Sequence, residues 1–389
     1  MITLITNVDV YAPRALGVCD ILIAGNRIMA IEPGITLSGE HITRLDGNGM
    51  IAMPGLVDSL VHITGGGGEG GFHTRTPEMN LTDATLHGVT TVIGALGTDA
   101  TTRTLPELIA KAYGLRNEGI SAYCYTGSYH YPVRTVTGDI TDDIMLTGPV
   151  IGVGEVAIAD HRSSQLSASE LARIASQARV GGMLSGKGGI VSIHTGESPY
   201  QLSLLHEVTD SSDIPASQFY PTHINRSQSL MEAGKRWCER GGRIDVTTST
   251  NAQFIAEGEI PAAESIAWFL GQGVDVHQLT MSSDGNASLP VFDNNGRLTG
   301  LEVGKVGSLY QSFRDLAAIR DVSLSDAIAS VTLSPADILG LHNKGRLQPN
   351  ADADIVLIDP ATRDIQHVFA NGVQMVDNQQ ARVKGTFEA

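Results

Sequence analysis

The alternation of apolar and polar positions divides the chain into three stretches. Residues 1–52 carry short strand-like runs: Asp20–Gly25 and Ile28–Pro33 read as a hairpin turning at Gly25-Asn26, followed by a further run over Thr43–Met53. Residues 342–389 look alike, with an apolar run over 351–360 and a second hairpin turning at Asn371-Gly372. These two all-β ends predict one small β-sandwich built from both chain termini. Between them, over 53–341, near-continuous apolar runs of strand length alternate with helical stretches such as Leu105–Gly119, Ser167–Gly182, Ser229–Gly242 and Ala262–Gly273. Eight such runs can be counted, beginning at residues 56, 90, 120, 150, 190, 220, 244 and 279. Regular βα alternation with strands apolar on both faces predicts a parallel sheet, and eight repeats predict a closed TIM (β/α)8 barrel.

In such a barrel, chemistry gathers at the C-terminal ends of the strands. Glu155, His194, His223 and Asp284 each fall at the end of one of these runs. Two histidines at equivalent places on successive strands form a metal-ligand pattern, whereas a lone histidine is more often structural. A carboxylate in a barrel mouth needs a metal or a counter-ion, so Glu155 either joins that metal or pairs with Arg162 or another cation. Asp284 lies in Ser-Ser-Asp-Gly-Asn, good turn chemistry, but its strand-end position suits a general base or a metal ligand. In the first barrel strand, residues 60 and 62 share a face, and a His-x-His pair there would place two imidazoles on one metal. The chain has Leu60 and His62. The pattern is that of a metal-dependent hydrolase with an altered metal site.

Composition narrows the class. The chain of 389 residues has a formal net charge of −16, which argues against a nucleic-acid or anionic-membrane surface. Its 17% charged residues leave little room for long disordered tracts. Three scattered cysteines, Cys19, Cys124 and Cys238, make no CxxC pair and suggest neither a disulfide framework nor a thiolate zinc site. No run reaches membrane-span length and the N-terminus lacks a basic n-region, so a cytoplasmic protein is the expectation.

The run Gly65-Gly66-Gly67-Gly68-Glu69 follows the first barrel strand. It lacks the spacing of a phosphate loop and fits a loop whose backbone approaches a ligand, with Glu69 placed to meet a cation. Arg162 and Arg226 each follow a strand end by a few residues. Singly, such arginines usually serve ion pairs; two on one rim suggest recognition of two carboxylates.

At these residues the chain resembles the isoaspartyl dipeptidases of the amidohydrolase superfamily. The stretches that carry the likeness are 54–71, His73–Glu78, Gly94–Asp99, Thr126–Gly138, Ile158–Ser163, Pro221–Arg226, Ser282–Ser288 and Val383–Glu388. The resemblance implies a distorted (β/α)8 barrel with a small β-sandwich, and hydrolysis of the side-chain amide of β-aspartyl dipeptides. It also implies roles: Gly67, Gly68 and Glu69 for the free α-amino end with Thr98 beside them, and Tyr129 for the carbonyl oxygen. Arg162 and Arg226 would take the carboxylates, Ser288 would complete the pocket, and Asp284 would be acid/base and metal ligand. The family commonly has histidine at position 60, and a carboxylated lysine bridging two metals where this chain has Glu155. Glutamate serves as a bridge in related amidohydrolases; leucine is no ligand. The set Glu155, His194 and His223 plus water resembles the one-zinc site of some N-acetylglucosamine-6-phosphate deacetylases. One zinc is therefore expected to bind tightly, with the outer position near His62 and Asp284 weak or empty. His73 reads as a solvated loop residue rather than a substitute ligand. A homo-oligomer is expected by family analogy. The rival readings are another amide hydrolase of the superfamily, D-aminoacylase-like or sugar-deacetylase-like, and a binding homologue left without catalysis by Leu60.

Overall fold

The computed structural model of the protein describes residues 2–292 and 298–389. Strands β1 (Ile2–Tyr11), β2 (Ala15–Ala24), β3 (Arg27–Glu32), β4 (Ile42–Asp46) and β5 (Ile51–Pro54) open the chain. The barrel strands are β6 (Leu56–Val61), β7 (Val89–Gly94), β8 (Ser121–Thr126), β9 (Val150–Ile158), β10 (Ile190–Thr195), β11 (Phe219–Thr222), β12 (Ile244–Thr247) and β13 (Leu279–Ser282). A hairpin of β14 (Ser288–Phe292) and β15 (Leu298–Val303) follows, and β16 (Ile355–Ile358), β17 (Ile365–Ala370), β18 (Val373–Asp377) and β19 (Gln380–Ala381) close the chain.

The strands of the two ends join in one nine-stranded sheet, where β5 lies between β16 and β1. One face of that sheet encloses its own core, in which Ile5, Val8, Ile21 and Ile23 meet Ile355, Leu357 and Phe369. The hairpin at Asn371-Gly372 has both turn residues at positive φ, 47° and 77°, the conformation that this dipeptide favours.

β6 to β11 pair in parallel, in chain order, and β12 pairs with β13. The eight strands close as a barrel with two seams where the regular backbone ladder is interrupted and side chains help to bridge the gap. Between β11 and β12, the Asn225 amide donates to Thr247 O at 3.0 Å and accepts from Thr247 N at 2.9 Å. Between β13 and β6, Asp58 Oδ1 accepts from Ser283 N at 2.9 Å, and His62 N donates to Gly285 O at 2.8 Å. Asp245 ties the interior together, accepting from Thr222 Oγ1 at 2.7 Å and Thr280 Oγ1 at 2.6 Å. These seams are the physical content of a distorted barrel: the pairing is interrupted, and Asn225 and one oxygen of Asp58 take up backbone groups at the breaks. The inner layer is apolar, with Val57, Leu60, Ile93, Ala95, Ile151 and Ile190 in one cluster.

Helices cover the outside. The main ones start at sequence-encoded caps, as at Thr104 with Glu107 and Ser167 with Glu170, where side chain and backbone exchange hydrogen bonds. No helix of the described residues is long and apolar enough to cross a membrane.

Candidate active site and metal centre

The strand ends deliver their side chains to a cavity of about 1100 Å³ at the barrel mouth. Its walls include His62, Gly67, Glu69, Thr98, Tyr129, Arg162, His194, His223, Arg226, Asp284 and Ser288. Gly68 and Glu155 are absent from those walls, and Glu155 is fully buried at 1% exposure. His73 sits exposed on the loop after the glycine run, off the walls as well.

Three donors converge near Glu155. His194 Nδ1 lies 3.5 Å and His223 Nε2 3.6 Å from Glu155 Oε1, and the two nitrogens are 3.0 Å apart. Four ligands placed tetrahedrally about a zinc ion at its usual N and O distances stand about 3.3 Å from one another. Among the described residues, these three form the one group of histidine, cysteine and carboxylate donors within 4.8 Å of one another. Each imidazole is held from behind. His194 Nε2 lies 3.1 Å from Asp160 Oδ2, and His223 Nδ1 bonds Thr247 Oγ1. Such outer partners fix the ring and its tautomer in metal sites.

Neither Glu155 oxygen has a hydrogen-bond partner, although both are buried. Burial pushes the Glu155 carboxyl up, but the surrounding histidines outweigh it and hold the group below the usual carboxylate range. A buried, ionised carboxylate with two unsatisfied oxygens is costly, and a cation between it and the histidine nitrogens would satisfy all three groups. The donors therefore fit a divalent metal of zinc type.

His62 and Asp284 stand apart from that trio. His62 Nε2 is 3.2 Å from Asp284 Oδ1 and 3.7 Å from Glu155 Oε2, and its Nδ1 faces Ala95 O at 3.2 Å. Burial opposes charge on His62, but the bond to Asp284 and the field of Asp284 and Glu155 win, leaving its pKa at about 9. His223 goes the other way, down to about 4, through burial and then the nearby charge of Arg226. Leu60 is 2% exposed, packs in the inner apolar layer and does not line the cavity.

The other wall carries recognition chemistry. Thr98 Oγ1 donates to Glu69 Oε1 at 2.6 Å, and Arg162 Nη1 lies 3.5 Å from the same oxygen. Arg162 pairs with Asp160 and Glu69, so the alternative partner for Glu155 considered from the sequence is engaged elsewhere. Arg226 Nη1 donates to Thr195 O at 2.8 Å. Tyr129 OH sits 2.7 Å from His194 Nδ1, at the point where the three donors converge. Burial first, then the Glu155 charge, holds the Tyr129 phenol well above its ordinary pKa, so it remains a hydrogen-bond donor. Gly67 has φ 69°, and a Cβ there would come within 2.8 Å of Thr74 O and 2.9 Å of Ser288 Cβ. Only glycine lets that backbone lie against the far wall.

Two participants were not singled out from the sequence. Asp160 reads as a turn residue within Asp-His-Arg-Ser. Arg103, buried at 5% exposure, donates to Gly66 O at 3.2 Å and Thr76 O at 2.9 Å and so braces the glycine run. No local signal marks an arginine that folds back onto carbonyls some 30 residues earlier in the chain.

Comparison with known proteins agrees with this geometry. A sequence profile described as the amidohydrolase family matches residues 221–387. The β-aspartyl dipeptidase of Fervidobacterium islandicum AW-1, solved with β-Asp-Leu dipeptide, is 40% identical, with TM-score 0.91 over 98% of this chain and 99% of that one. A second structure of a β-aspartyl dipeptidase from that organism is 37% identical, with TM-score 0.89 over the same shares. A D-hydantoinase at 16% identity and TM-score 0.70, covering 100% of this chain and 98% of its own, shares the fold. Among curated sequences, the dihydroorotase of Pelotomaculum thermopropionicum is 24% identical over 88% of this chain and 84% of its own. At 40% identity across almost the whole of both chains, this protein belongs to the isoaspartyl (β-aspartyl) dipeptidase family of the amidohydrolase superfamily.

Proposed function

We propose that the protein hydrolyses the side-chain amide of β-aspartyl dipeptides, releasing L-aspartate and an amino acid, with one zinc ion held by Glu155, His194 and His223. The observation that carries this reading is the buried, unsatisfied Glu155 carboxylate set among histidine nitrogens beside the Glu69–Arg162 charge pair.

That wall supports the substrate class. Glu69 and Arg162 place opposite charges 3.5 Å apart. A β-aspartyl unit keeps a free ammonium and a free carboxylate on one carbon, so it can meet both groups at once. An α-linked aspartyl residue has spent that carboxylate in the peptide bond. Dihydroorotate, the substrate of the curated relatives' namesake reaction, has no free ammonium and would leave Glu69 unmatched. Thr98 and the backbone of Gly67 assist at the amino end. Arg226, across the cavity, takes the carboxylate of the leaving residue, and Ser288 completes the pocket. The pair of charges also disfavours an acyl-sugar or acyl-D-amino-acid substrate.

A divalent ion at these donors supplies Lewis-acid chemistry, polarising the scissile carbonyl and acidifying water. Asp284 takes the proton of the attacking water and delivers it to the departing amine. Tyr129 donates its O–H to the carbonyl oxygen as negative charge develops there. Glu69, Arg162 and Arg226 hold the substrate so that its amide faces Asp284 and Tyr129. Near His62 and Asp284 the outer position lacks a second histidine, because Leu60 offers no donor, so a second ion is held weakly or not at all. Incubating the zinc-loaded protein with β-Asp-Leu, α-Asp-Leu and dihydroorotate tests the reading: turnover of β-Asp-Leu alone is expected. No turnover of any of them, with zinc bound, would favour a binding homologue.

A further inference from the structure

Asp160 follows β9, just after Ala159 at φ 52°, and is itself 9% exposed. Its place is tightly determined. A Cβ on Gly196 would fall 2.3 Å from Ala159 O and 2.6 Å from Asp160 Cβ, so the loop after β10 must be glycine where it crosses this residue. The side chain is an acceptor for four donors. Oδ1 receives Arg162 N at 2.7 Å and Arg162 Nε at 3.0 Å. Oδ2 receives Arg162 Nη2 at 2.8 Å and His194 Nε2 at 3.1 Å.

We propose that Asp160 is a positioning residue that couples the metal centre to carboxylate recognition, fixing the His194 ring with one oxygen while it aims the Arg162 guanidinium with both. The inference rests on the reading of the site given above and extends it. Accepting from Nε2 selects the tautomer whose bare Nδ1 faces Glu155 and His223. Occupying the Nε and Nη2 edge of Arg162 leaves Nη1 for the cavity, on the side of Glu69. Arg162 Nη2 and His194 Nε2 are 3.4 Å apart and both carry protons, so one anionic oxygen must serve the two donors together. Asparagine has the same shape but one amide NH2. Whichever way it turns, that NH2 meets donors already present, either Nε and N of Arg162 or Nη2 and His194.

Asp160→Asn is expected to weaken zinc binding by roughly 10–100-fold, measured by competition with a chelating dye, and to raise KM for β-Asp-Leu. Arg162→Gln should raise KM and leave zinc affinity near the parent value, because His194 keeps its acceptor. An Asp160→Asn protein in which one of the two readouts moves and the other does not would overturn the coupling. The unmodified protein gives a check that needs no variant to fold. With 15N-labelled histidine and the metal removed, the His194 ring should show the Nε2–H tautomer, and an Nδ1–H ring would overturn the proposal. If the parent fails to cleave β-Asp-Leu, the substrate reading falls, while zinc affinity and tautomer still judge Asp160.

Discussion

Leu60→His restores the residue type that the family pattern has, and its consequences follow from where Leu60 packs. The side chain is 2% exposed and belongs to the apolar layer with Val57, Ile93 and Ala95. Giving up a buried leucine costs ~1.5–3 kcal/mol, and an imidazole buried there without a partner adds ~1–3 kcal/mol. The metal-free variant should thus be about 2.5–6 kcal/mol less stable than the parent. Unfolding entropy of ~2.1 cal/mol/K per residue converts this to a loss of roughly 3–7 °C in melting temperature for a chain of this length. Zinc reverses part of it: an ion at a hundred times its Kd contributes ~2.7 kcal/mol, or roughly 3 °C, at a site the parent does not offer. Melting curves of stripped and zinc-titrated protein, with metal analysis of both, test the chain of reasoning. The parent should hold close to one equivalent and the variant should move toward two. A stripped variant melting within about 1 °C of the parent would refute the packing argument. A parent that already retains two tightly bound ions would refute the reading of Leu60 itself.

Tyr129→Phe should lower turnover of β-Asp-Leu by ~10²–10³ with little change in KM, since the lost donor acts on developing charge; a change in KM alone would make Tyr129 a binding residue. Arg226→Met should cost ~3–5 kcal/mol in kcat/KM, because the leaving residue's carboxylate loses its charged partner in a recessed wall. An unchanged kcat/KM would remove Arg226 from substrate recognition.

Much of the site could be read from the chain because a parallel barrel converts strand ends into neighbours. Glu155, His194 and His223 lie in separate parts of the sequence, yet the barrel brings them together: His194 and His223 fall at strand ends as expected, whereas Glu155 lies within β9, three residues before its end at Ile158. The hairpin at Asn371-Gly372 was legible for a local reason, since its two residues tolerate positive φ. What stayed hidden depends on contacts that no local pattern carries. Asp160 looks like any turn aspartate until His194, 34 residues on, is placed beside it. The seams of the barrel are invisible for the same reason: Asn225 and Asp58 read as a loop residue and a strand residue, and their service to Thr247 and Ser283 exists only after closure. The β14–β15 hairpin escaped although Asn295-Gly296 lies between its two runs, because Pro290 and Gly300 break their alternating pattern. Leu60 shows the opposite case: its identity announced an altered site, while its packing with inner-layer residues could be seen only in the fold.

On the function proposed, a single metal at Glu155, His194 and His223 and the Glu69–Arg162 wall together cleave β-aspartyl dipeptides. The direct measurement is release of aspartate from β-Asp-Leu by protein stripped of metal and then reloaded with one equivalent of zinc, with α-Asp-Leu and dihydroorotate in parallel. No turnover is expected when stripped, full recovery at one equivalent, and no release from α-Asp-Leu or ring opening of dihydroorotate. Turnover of dihydroorotate in preference to β-Asp-Leu, or recovery only with a second equivalent of zinc, would contradict this reading.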